Sequence, residues 1–292
     1  MTESTEVSPI SGGSVEAVKT WRYLRLAMFA LVVGLAGAVT TERIQARCFQ
    51  TSISAYYYTP AGVFFVGSLV AVGICLFCLK GSSDIEDLLL NIAGMCAPVV
   101  AFVPTTNRGS CTSASELADP IGSGSIFTSM IAYLVVGVVA LLSFGVLSLP
   151  AVRSNRPDPE DMTKSGIFAF VISLALGFAT YAIFSLARTW FNSNAHWIAA
   201  VLLFVCIFGA VVVNAIGYKR EKTQSNVKNP YTFIAIAMLA VVVVTISLKF
   251  AGWEHWVLLI ESGLILLFAA FWIIQSADLW SQGLRSKPRR LG

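Results

Sequence analysis

A chain of 292 residues that is 56% hydrophobic and 12% charged, with a mean hydropathy of +0.75, lacks the polar surface that a water-soluble domain of this size needs. Its net charge of +4 sits in short segments between apolar runs, where membrane orientation accounts for it, so nucleic acid is excluded as a partner. The composition is that of a polytopic membrane protein.

Runs long enough to cross about 30 Å of hydrocarbon, roughly 20 residues each, number eight and define an all-α transmembrane bundle. A polar tail over 1–20 precedes them. The first run, 24–40, follows Lys19, Arg22 and Arg25 and has the outline of a secretory signal. Ala30, Gly34 and Ala38, however, recur at four-residue spacing, as on a helix that packs closely against another. The reading adopted is a retained helix.

Before the second run, 60–79, stands SISAYYYTP. Thr59-Pro60 predicts an N-cap and the first helical position. A helix begun at Ser52 would run about 42 Å, longer than the hydrocarbon requires. Residues 52–58 are therefore expected to form a loop or shallow re-entrant turn, covered by protein or wetted by a cavity.

Asp84, Glu86 and Asp87 precede the third run, 88–104, where negative charge favours a helix N-terminus. Cys48 and Cys111 fall in two loops on one side of the membrane and are expected to pair in an oxidising compartment. Cys75 and Cys78 lack the second ligand pair of a zinc site. Neither His196 nor His255 stands in a spaced metal motif, so no metal and no cofactor is expected.

The fourth run, 126–150, ends at AVRSNRPDPEDMTKS, 151–165, the most polar linker. Four further runs follow at 166–187, 195–217, 231–249 and 256–276, and a basic tail occupies 277–292. Helices 1–4 over 21–150 and helices 5–8 over 166–276 are compatible with two four-helix halves. A faint echo supports this, Ser54-Ala55-Tyr56-Tyr57 against Asn194-Ala195-His196-Trp197. With both termini cytoplasmic, the inner segments carry fifteen of the 20 lysines and arginines, and only Arg43, Arg47, Arg108, Arg188 and Lys249 lie outside.

The polar groups near the outer face are the candidate site. Glu261 lies about 7 to 8 Å below the outer boundary by helical rise, a depth at which a carboxyl needs a partner. His196 is the expected one. Ser52, Ser54, Tyr56, Tyr57 and Thr105 fall at the same face. Three readings stand: a structural Glu261–His196 pair with an aromatic belt, a pocket for a lipid, solute or protein partner, and catalysis by Ser54, His196 and Glu261 as nucleophile, base and orienting acid. No oxyanion-hole or nucleophile-elbow motif accompanies the third. A transporter would rest on Glu261 alone.

SISAYYYTPAGVFFVGSLVAVGICL, NIAGMCAPVVAFVPT, AHWIAAVLLF, KNPY and IESGLILLFAAFW resemble a bacterial family of multi-pass membrane proteins. The resemblance implies a plasma-membrane protein and picks out Ser52, Ser54, Tyr56, Tyr57, Thr105, His196 and Glu261, and it implies no activity. In general layout the chain also resembles the superfamily of alkaline ceramidases and adiponectin receptors, with a serine near the second helix. The histidine-rich zinc site of that superfamily has no counterpart here. The function expected is binding of a lipid, solute or partner protein at an outward-facing pocket, with an intramembrane lipid hydrolase using Ser54 and His196 as the alternative.

Overall fold

The structure, a computed structural model, describes residues 12–111, 123–147, 164–221 and 228–280. Eight α-helices make it up: α1 Gly12–Ala46, α2 Gly62–Cys78, α3 Asp84–Phe102, α4 Ser123–Leu147, α5 Lys164–Leu186, α6 Arg188–Glu221, α7 Pro230–Phe250 and α8 Trp256–Leu279. Among the described residues there is no strand. Six helices are long and apolar enough to cross a membrane, while α2 and the apolar part of α5, Phe170–Leu186, are shorter. The chain is a polytopic, all-helical membrane protein.

Two boundaries differ from the sequence reading. Thr59 does not start α2: its hydroxyl donates to the Tyr56 carbonyl at 2.8 Å, closing the 3-10 turn Ser54–Tyr58, and α2 begins at Gly62. A short polar side chain beside a free carbonyl bonds backward as readily as forward. The second difference is at α6, which begins at Arg188 rather than near 195. Only Ala187 separates it from α5, and helical bonds from Ala187 N–H to Ile183 and from Phe191 N–H to Ala187 carry across that residue. The linker 151–165 lies outside the described residues but for its last two positions.

Helix α3 packs most extensively, against α6 and α2; α7 pairs with α8, and α1 lies against both α2 and α8. Helices from the two sequence halves are thus interleaved in one bundle. The apolar window of α3 is 56% buried and that of α4 only 11%, which puts α3 at the centre and α4 on the periphery. Where α2 crosses α3, a Cβ on Gly73 would meet the Gly94 carbonyl at 2.9 Å and one on Gly94 would meet the Gly73 carbonyl at 2.7 Å. Two glycines let these backbones touch, as small residues do between membrane helices.

The end opposite the Cys48–Cys111 loops is locked by a buried polar knot. Ser83 caps α3 by accepting the Glu86 N–H at 3.2 Å. The Glu86 carboxylate accepts from Asn214 Nδ2 of α6 at 2.7 Å, from Gln275 Nε2 of α8 at 3.0 Å and from the Ser82 N–H at 2.7 Å. Gln275 Nε2 also donates to Asn214 Oδ1 at 2.8 Å. All three side chains are essentially inaccessible. The acid that the sequence marks as a helix-dipole partner therefore joins three helices.

Each such bond in a membrane interior contributes ~0.6–2 kcal/mol, and its loss strands buried donors. Glu86→Ala is expected to cost about 2–4 kcal/mol and Glu86→Gln, which keeps an acceptor for Asn214 and Gln275, about 1 kcal/mol. The unfolding midpoint in detergent checks the order.

Candidate functional site

The loop between α1 and α2 does not stay at the surface. The Cys48–Cys111 disulfide ties its start to the segment after α3. Beyond it the chain turns inward, and Ser52, Ile53, Ser54, Ala55 and all three tyrosines are buried. Buried non-helical backbone needs internal partners. Tyr56 N–H donates to the Ile53 carbonyl at 3.1 Å, Ala55 N–H to Ser52 Oγ at 2.9 Å, and Leu258 N–H of α8 to the Thr51 carbonyl at 2.9 Å. The last bond satisfies a donor in the first turn of α8, where no intrahelical acceptor exists. At the turn into α2, a Cβ on Gly62 would collide with the Tyr57 carbonyl, so only glycine fits.

Glu261 finds its partner in this loop. Its Oε1 accepts from Ser54 Oγ at 2.7 Å and its Oε2 from the Ser54 N–H at 3.1 Å. His196 is held elsewhere: its Nδ1 donates to the Val103 carbonyl, 2.6 Å away at the end of α3. With Nδ1 carrying the proton, the neutral ring keeps its lone pair on Nε2. The Glu261–His196 pair expected from depth and charge is replaced by two separate anchors. Among the described residues no hydrogen bond joins Ser54 to His196, so the serine, base and acid of a hydrolase are not lined up. Nor do three His, Cys, Asp or Glu side chains gather there as a metal site requires.

The tyrosines also differ from expectation. Tyr57 and Tyr58 pack edge to face, centroids 5.2 Å apart, and Tyr58 Oη donates to the Thr105 carbonyl at 2.7 Å. Tyr56 and Tyr57 are 1% and 2% exposed and line neither of the cavities described below. The exposed interfacial rings at this end are Trp190, Trp197 and Trp253.

Two cavities meet at Glu261. A narrow one of about 80 Å³ lies between α1, α2, α6 and α8, with Ser54 and Ser68 as its only other polar liners. The larger, about 600 Å³, lies between α6, α7 and α8. Its upper end is polar, formed by Thr51, Ser52, Thr105, Asn107, His196 and Glu261, and its remainder is apolar, with Phe204, Val205, Phe208, Met238 and Leu239 on its walls. Val201, Val205 and Leu239 are more than half exposed, so this wall is continuous with the outer, apolar face of the bundle. Thr51 Oγ1 is buried with no hydrogen-bond partner among the described residues.

Of the sequence candidates, Ser52, Thr105, His196 and Glu261 line the larger cavity and Ser54 the smaller. Thr51, Asn107 and the apolar walls were not singled out from sequence. Thr51 and Asn107 stand beside flagged residues. Which face of α6 and α7 lines a groove is a matter of packing, and apolar runs as uniform as these do not reveal it.

No protein-family model, curated protein or solved structure matches the chain, so the architecture and the site rest on its own residues.

In a double-mutant cycle, Ser54→Ala with Glu261→Gln is expected to show a coupling of about 1–2 kcal/mol. His196→Ala with Glu261→Gln should be additive within about 0.5 kcal/mol. Unfolding in detergent of the single and double variants measures both.

Proposed function

We propose that the protein binds a membrane amphiphile in the larger cavity, with the head at the Glu261–His196 end and the chain between α6 and α7. The observation that carries this reading is the division of one 600 Å³ cavity into a polar end and an apolar wall. The volume is in the range of small-molecule sites, and the exposed apolar wall gives a lipid chain a path from the bilayer without crossing water. A soluble, polar ligand would leave that wall unused.

The head end faces outward on this reading. The Cys48–Cys111 disulfide supports the orientation, because such bridges persist in oxidising compartments. So does the excess of lysine and arginine in the segments at the other end. The setting is a bacterial plasma membrane with both termini inside, and the partner is lipid.

Val205→Trp and Leu239→Trp place a ring in the groove from positions already exposed to lipid. In vesicles, a monoacylglycerol bearing a diazirine on its acyl chain is expected to label α6 and α7, and each variant should lower that labelling at least about tenfold with an unchanged unfolding midpoint. Labelling spread evenly over all the exposed helices would refute the reading.

A further inference from the structure

Resting on the reading that this cavity takes an amphiphile, we infer that the head it selects donates hydrogen bonds, as a hydroxyl or an ammonium does, and carries no phosphate or carboxylate.

Among the described residues no lysine or arginine lines the polar end of the cavity, and Glu261 is its one acid. Two basic residues close to lining residues in sequence or contact lie over rings: Lys249 Nζ is 4.7 Å from the Trp256 ring and the Arg108 guanidinium 5.1 Å from the Tyr58 ring. Residues 112–122, which follow the disulfide, contain Glu116 and Asp119 and no basic residue. An anionic head entering here would find a carboxyl and no counter-charge among the described lining residues, and burying a charge unpaired is costly.

Acceptors are available beside the hydroxyls of Thr51, Ser52 and Thr105 and the Asn107 amide, which can also donate. Glu261 takes a bond on each oxygen from Ser54, with the Ile53 backbone N–H also on the carboxyl, and a carboxyl has about four lone-pair sites. His196, its Nδ1 committed to Val103, offers Nε2 as an acceptor when neutral. Ser52 Oγ and Thr51 Oγ1 have lone pairs as well, the latter with no partner among the described residues. Glu261 forms no ion pair among the described residues, and a carboxylate so placed favours any cation that reaches it. A hydroxyl matches the acceptors, and an ammonium adds charge complementarity. Glu261 is what separates the two, because its carboxyl can form an ion pair with an ammonium and only a hydrogen bond with a hydroxyl.

The test uses the full-length protein in vesicles carrying the diazirine monoacylglycerol, with four competitors of one chain length: 1-monoolein, oleylamine, oleic acid and 1-oleoyl lysophosphatidic acid. Monoolein and oleylamine are expected to displace the label at concentrations at least about tenfold below the two acids. In Glu261→Gln the advantage of oleylamine over oleic acid should shrink at least about tenfold, and monoolein should lose less than oleylamine does. Equal displacement by all four, or stronger displacement by the acids, overturns the inference and leaves the pocket standing. An unchanged amine preference in Glu261→Gln overturns the role given to that carboxylate. Failure of all four to compete, together with labelling that survives in Val205→Trp, brings down the pocket reading and this inference with it.

Discussion

The double bond between Glu261 and Ser54 fastens α8 to a stretch of chain that has left helical geometry inside the bundle. A bilayer offers such backbone no partner, so every donor and acceptor of the loop must be met by protein. The carboxylate meets two, the 3-10 turn meets others, and the Thr51 carbonyl repays α8 by accepting the Leu258 N–H. The loop and the helix each supply what the other lacks at its end. From this exchange follows the shape of the site. Helices α3 and α6 pair, α7 and α8 pair, and α6 and α8 barely touch. The gap they leave below the loop is the cavity.

Two acids of the bundle, Glu86 buried and Glu261 half-buried, stand in different settings. Glu86 accepts three hydrogen bonds in a knot that joins α3, α6 and α8. Glu261 is held by Ser54 and opens on two cavities. From Glu261 to Gln275, a member of the Glu86 knot, is about 21 Å along α8 at 1.5 Å per residue. Phe268, Phe271 and Trp272 lie between them and are buried. That interval has no polar relay among the described residues of α8, and proton-coupled transport finds no support in it. Glu86 joins helices, and Glu261 stands beside open space.

The same geometry weighs against hydrolysis. A nucleophilic serine needs its proton taken by a base that faces the reacting centre. Here the Ser54 hydroxyl is given to Glu261 and turned toward the narrow cavity, while His196 is anchored through Nδ1 to the end of α3 and faces the wide one. The two candidates share a carboxylate's neighbourhood without sharing a cavity.

The sequence alone determined a good deal that depends on local chemistry. Eight apolar runs became eight helices, because backbone in hydrocarbon must satisfy itself and a helix does so within one segment. The pairing of Cys48 with Cys111 and the need to cover 52–58 followed from residue type and position. What only the tertiary structure decided is which groups meet. Glu261 chose Ser54 over His196, the tyrosines went to the core instead of the belt, and Gln275 with Asn214 turned Glu86 from a helix-end charge into a three-helix junction. Helices of nearly uniform apolarity carry little sign of which face turns inward, since lipid and protein interior reward the same side chains. Close approach at small residues such as Gly73 and Gly94, and the few polar groups that must find each other, set the rotation of each helix and with it the cavity.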